Sequence, residues 1–245
     1  MVPVFFSWEW AMYSLVITRR VNRVFSLSLS RTTLTLSSLR SAATRLYVLI
    51  AWLHVPAVAL VALNARNAWL PPTMWLLGIA IAATICARTL RDGLPLRLVM
   101  AAALTAAPIF FVYAGRGSTS GLLGHETWQI DYHMYFFATF AMLVGYVDWR
   151  PIVFSAALTA GHHLLLDRLV PGNVFPEEGL DRVALHAITV VAECRVLIGI
   201  TNTVQALFDR IDGLMYFTTA ATAEAIADAQ AENTRLKALL ARVSS

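Results

Sequence analysis

The stretch LYVLIAWLHVPAVALVAL, residues 46–63, decides the fold class. It runs eighteen residues without a charged side chain, and His54 is its one imidazole. As a helix it covers about 27 Å at 1.5 Å per residue, close to the ~30 Å of hydrocarbon in a bilayer. Five more apolar runs follow, at 69–86, 96–114, 130–147, 152–166 and from near Val183 past Ile200. Several are short, and Trp69, Trp128 and Trp149 flank them where indole rings complete a span at the interface. The expected fold is an all-α integral membrane protein of about six transmembrane helices, followed by a C-terminal cytoplasmic coiled-coil helix.

Composition agrees. Of the 245 residues, 58% are hydrophobic and 14% charged, where a soluble domain carries nearer 25% charge. Mean hydropathy is +0.63. The net charge of +4 does not mark a nucleic-acid binder, because the basic residues flank apolar segments and do not form one basic face. They set topology instead. With the N-terminus cytoplasmic, 14 basic residues fall inside and four (Arg66, Arg116, Arg168, Arg182) outside, with Arg195 in the last span. Positive charge collects on the cytoplasmic side, so the expectation is a multi-pass protein of the bacterial inner membrane with both termini cytoplasmic. Cys86 and Cys194 lie in apolar runs without metal spacing, which suggests two reduced, packed thiols.

Residues 1–45 are rich in Ser, Thr and Arg, with no acid between Glu9 and Asp92. They are expected to form a poorly ordered cytoplasmic leader, or to reflect a start codon set too early. The membrane domain is expected over 46–206, and a cytoplasmic signalling helix over 207–245. In that tail no Pro occurs between Asn202 and Val243, and Gly213 is the one Gly. A heptad places Ile226, Asn233 and Leu240 at a, and Ala229, Leu236 and Val243 at d. An apolar seam with a single Asn at a favours two parallel strands, so a homodimer through the C-terminal helix is expected. The alternative is a solvated amphipathic tail.

Ionisable groups within spans are costly and usually functional. From the rise per residue, His133 and His186 lie about 5 Å below the outer surface, and His162 and His163 about 5–12 Å below it. Three helices thereby bring imidazoles to one depth. Asp131 precedes His133 by two residues, Asp167 follows His163 by four, and Glu193 lies two turns deeper than His186. Imidazole with carboxylate suits zinc, copper or iron, and facing imidazoles can hold a haem iron. The expected site is therefore Asp131, His133, one of His162 and His163, and His186, with a transition metal or haem as the candidate cofactor. Neighbouring rings diverge by about 100° on a helix, so one of the pair is expected to face elsewhere. The competing reading makes each His an ordinary hydrogen-bonding residue of the helix core. His54 stands apart in helix and depth. Enzyme signatures are missing: His125-Glu126 lacks a second His at protease spacing, and no GxSxG elbow, phosphate loop or kinase set is present. The chain is not expected to be an enzyme.

The run WQIDYHMYFFA at 128–138, DWR at 148–150, GHHLLLD at 161–167, VFP at 174–176 and RVALHA at 182–187, followed by Glu193, resembles the membrane-embedded N-terminal region of a group of bacterial, mainly alphaproteobacterial, methyl-accepting chemotaxis proteins. The resemblance covers the last three spans, and the first three by hydropathy alone. It implies a multi-span input domain feeding a cytoplasmic signalling coiled coil, and signalling proteins of the cytoplasm as partners. The matching polar positions are Trp128, Gln129, Asp131, His133, His162, His163, His186 and Glu193, while Asp167 stands where that group carries Asn. The methyl-accepting output region does not follow, so the chain is expected to be a fragment, a truncated gene or a short relative. The leading function is sensing at the His/Asp cluster of a ligand, metal, haem-linked signal or proton. The alternatives are a small transporter or proton- or metal-conducting protein, and a membrane cytochrome.

Overall fold

A computed structural model describes residues 35–116, 129–169 and 180–243; the notional leader before residue 35, with His125, Glu126 and Trp128, lies outside them. Every regular element among the described residues is helical. Helix α1 covers Leu36–Asn64, α2 Leu70–Thr89, α3 Leu94–Ala114, α4 Gln129–Leu143, α5 Trp149–Leu169 and α6 Leu180–Val243. Four of these, α1, α2, α3 and α6, are both long and apolar enough to cross a membrane.

The helix edges have local causes. Thr35 caps α1: its hydroxyl accepts from the Ser38 N–H at 3.2 Å, and Ser38 Oγ accepts from the Thr35 N–H at 3.2 Å. These bonds satisfy two amide groups at the helix end. The first apolar helix thus begins at Leu36, ten residues before the expected edge of the first span. Prolines open α2 and α3 in their first turn, where a missing N–H costs nothing. The expected 130–147 span is cut short. After fifteen residues α4 tightens into a 3₁₀ turn at Val144–Tyr146, and Val147 takes a left-handed φ of 48°. At about 22 Å, α4 alone is shorter than the hydrocarbon core.

Helix α3 lies at the centre: 61% of its most apolar stretch is buried, against 28% for α1 and α2 and 11% for α6. It packs on α1, α2, α4 and α5. Small buried residues, among them Ala101, Ala103 and Ala107 on α3 with Ala80 and Ala83 on α2, let the backbones approach. Thr105 on α3 and Ser155 on α5 share a buried hydrogen bond of 2.5 Å. Tyr47 donates to the Met142 carbonyl beside Gly145, where a side chain would strike the phenol oxygen. Helix α6 leans on α4 and α5 in its first part. Every residue from Asp209 to Lys237 except Gly213 is exposed.

Candidate functional site

The imidazoles converge. His133 comes from the second turn of α4, His162 and His163 from the later half of α5, and His186 from the second turn of α6. The ring centroids of His133 and His163 are 5.4 Å apart, and each lies 5.8 Å from that of His186. The three rings form a nearly equilateral triangle, one corner per helix. His133 is 1% exposed and His163 5%, while His186 is half-buried. Beside the triangle lies a cavity of about 100 Å³, which the three rings line together with Phe136, Thr159 and Val190.

Backbone bonding orients one corner. His163 Nδ1 lies 2.8 Å from the Thr159 carbonyl. A carbonyl only accepts, so Nδ1 carries a proton and donates it to Thr159. His162 is also buried, at 8% exposure. Its ring stands perpendicular to His163 at 5.2 Å and 6.0 Å from Phe136. Its Nε2 is buried and has no hydrogen-bond partner among the described residues. Of the pair, His163 is the one in the triangle, and both rings are inside the protein.

The other expected members are scattered. Asp131 is exposed in the first turn of α4, away from the cavity. Glu193 is half-buried deeper on α6, with Oε2 buried and no hydrogen-bond partner among the described residues. Gln129 opens α4 and Asp167 lies in the last turn of α5, and their side chains lie outside the described residues. His54 belongs to another group: its Nε2 shares a 2.7 Å hydrogen bond with the Tyr135 hydroxyl, and its ring packs edge-on against Phe111 and Tyr135. Both cysteines are free thiols, Cys194 within the core.

A second polar cluster sits at the opposite end, and sequence reasoning missed it. Arg97 of α3 pairs with Asp148 at 2.5 Å and with Asp92 at 3.3 Å. Asp148 also accepts from the Arg150 side chain at 2.9 Å and its N–H at 3.1 Å. Arg40 of α1 donates to the carbonyls of Tyr146 and Val147, which the tight turn after α4 exposes. Burial alone would raise the Asp148 carboxyl. The Arg150 hydrogen bonds and the charges of Arg150 and Arg97 outweigh it and hold the group below the usual carboxylate range. The cluster ties α1, α3 and the α4–α5 turn together. Its one sequence signal was the DWR run at 148–150.

Between the two clusters the interior holds buried Thr105, Thr139, Ser155 and Thr159, with an apolar layer on the Arg97 side of them. Below Thr105 and Ser155, the side chains of Met100, Leu104, Leu143 and Ile152 are all 0–1% exposed and belong to one core. Compared with known proteins, the chain significantly matches no protein-family model, no curated protein and no solved structure.

Proposed function

We propose that the chain is a membrane-embedded sensory input domain, crossing the bilayer six times with both termini cytoplasmic. In this reading the His133–His163–His186 cluster in the outer half receives the stimulus, and α6 carries the response to a cytoplasmic coiled coil. One observation carries it: a corner of the imidazole triangle stands on the same 64-residue helix that leaves the bundle. From His186 to Ile226 that helix runs about 60 Å without a break. A ligand that prefers one placement of His186 against α4 and α5 shifts the population of α6 positions. The sparse burial of α6 in the protomer favours such movement. Its exposed Ile226 and Leu236, at seam positions around Asn233, favour pairing with a second copy.

The packed apolar layer between the two polar clusters weighs against a conducting path, which supports a sensor over a transporter. Topology is the first test. A reporter fused after Ser245 is expected in the cytoplasm and one inserted at Ser118 outside. An external Ser245 reporter would overturn the six-span arrangement and the relay with it.

A further inference from the structure

We infer that the outward face of α6 is a docking surface for a separate membrane-spanning helix that carries a carboxylate at mid-depth, which pairs with Arg195; this rests on reading α6 as a transmembrane helix. The position of Arg195 carries the inference. Arg182 precedes it by 13 residues and Asp209 follows it by 14. That is about 20 Å of helix each way, more than half of the ~30 Å hydrocarbon core, so Arg195 sits near mid-depth. Snorkelling to the headgroups serves Lys and Arg near helix ends, and Arg195 is near neither. It is exposed on the surface of the protomer, and among the described residues no acid pairs with it. Charged side chains within spans almost always face a bundle interior or a water-filled cavity and pair with a partner. Within the described bundle Arg195 has neither.

The rest of that face suits a second helix. Ile188, Ala192, Gly199 and Asn202 lie above and below Arg195 at helical spacing on one face, and all are exposed. Cys194 and Thr201, around the helix from them, are buried in the bundle. A Cβ added at Gly199 would meet nothing within 4 Å. Ala192 and Gly199, one turn either side of Arg195, let another backbone approach closely, and Asn202 offers a group that hydrogen-bonds across helices in lipid. A carboxylate matches the guanidinium, because the two form paired, charge-assisted hydrogen bonds. A second copy of this chain is the poorer occupant. It would set Arg195 against Arg195. Glu193 is the one acid between Asp181 and Asp209; it stands about 200° around the helix from Arg195, and its Oε2 is buried within its own protomer. The C-terminal seam begins at Ile226, about 46 Å further along, and does not cover this face.

The experiment uses the full chain in lipid nanodiscs, labelled with a fluorescent donor, and synthetic spanning helices of Leu and Ala labelled with an acceptor. One helix carries a single Glu at its centre, a second carries Leu there and a third Arg. The Glu helix is expected to bind at least about 10-fold more tightly than the Leu helix, the size of an interhelical polar contact in lipid. Arg195→Leu removes a charge from the lipid-facing surface and is expected to abolish that preference, while Arg195→Glu is expected to transfer it to the Arg helix. Equal binding of the Glu and Leu helices to the unaltered chain, binding of neither, or a Glu preference that survives Arg195→Leu would each overturn the docking surface. So would a disulfide between two copies at Gly199→Cys, with Cys86 and Cys194 replaced by Ser, which would give the face to a second copy. Treating Arg195→Cys in the same background with a membrane-impermeant maleimide separates this inference from the span itself. Labelling would place position 195 in water and remove both the span and the docking surface. No labelling, with no preference for the Glu helix, would remove the docking surface and keep the span.

Discussion

Replacing Asp148 by Ala should be among the most damaging changes outside the histidine cluster. The Asp148 side chain is 2% exposed and that of its partner Arg97 9%. The substitution removes the 2.5 Å pair and the bonds from Arg150, and leaves Arg97 with Asp92 at 3.3 Å as its remaining acid partner. A buried guanidinium that loses its carboxylate costs about 3–5 kcal/mol. Replacing both partners, as Arg97→Met with Asp148→Leu, removes the stranded charge and should cost far less than either change alone. Unfolding by SDS titration from mixed micelles, read by helical circular dichroism, measures all four members of the cycle. The reasoning fails if Asp148→Ala costs under about 1 kcal/mol, the size of an exposed ion pair, or if the double variant is as unstable as the sum of the singles. The pH dependence has a definite sign. Because the folded Asp148 carboxyl is held below its ordinary value, its stabilisation is fully present above about pH 4. It is lost as pH falls through the lower folded value. Wild-type stability measured between pH 7 and 5 should show no step from this group, and the Asp148→Asn variant should lose the acid-side drop.

Tyr135→Phe leaves the buried His54 Nε2 without its hydroxyl, next to an Nδ1 that has no partner among the described residues, and should cost about 1–3 kcal/mol in the same unfolding assay. Gly145→Ala places a methyl group about 2.5 Å from the Tyr47 phenol oxygen, and should destabilise by about 1–3 kcal/mol, with Tyr47→Phe recovering part of the loss in the same unfolding assay. Asn233→Leu should raise the stability of the C-terminal pairing or change its order, measured by crosslinked species in native membranes; unchanged pairing would remove Asn233 from the seam.

The helices were legible because long uncharged runs have few solutions in lipid. The convergence of His133, His163 and His186 was legible for a related reason: counting residues from the span edges gives depth, and depth alone brings three helices to one level. Facing could not be counted. Which of His162 and His163 enters the triangle depends on how α5 rotates against α4 and α6, and that rotation comes from packing. Asp131 was assigned to the site by its closeness in sequence to His133, yet two residues along a helix point to different faces, and its side chain is exposed. The start of α1 was hidden because its capping pair is Thr35 with Ser38, in a segment whose composition resembles a leader. Arg97 and Asp148 lie 51 positions apart. As sequence they were one of the inner basic residues and the first residue of the DWR run, and tertiary packing alone makes them a pair.

If the histidine cluster and the far end of α6 are one coupled system, as proposed, disulfide crosslinking at Ile226→Cys reports the coupling most directly. With Cys86 and Cys194 replaced by Ser, the extent of Ile226→Cys crosslinking in native membranes is compared between the otherwise unaltered protein and His163→Ala or His186→Ala variants shown to be folded. The expected result is a change in crosslinking in both variants and in the same direction, although position 226 lies about 60 Å along the helix from His186. Identical crosslinking in all three proteins would contradict the claim and remove the relay.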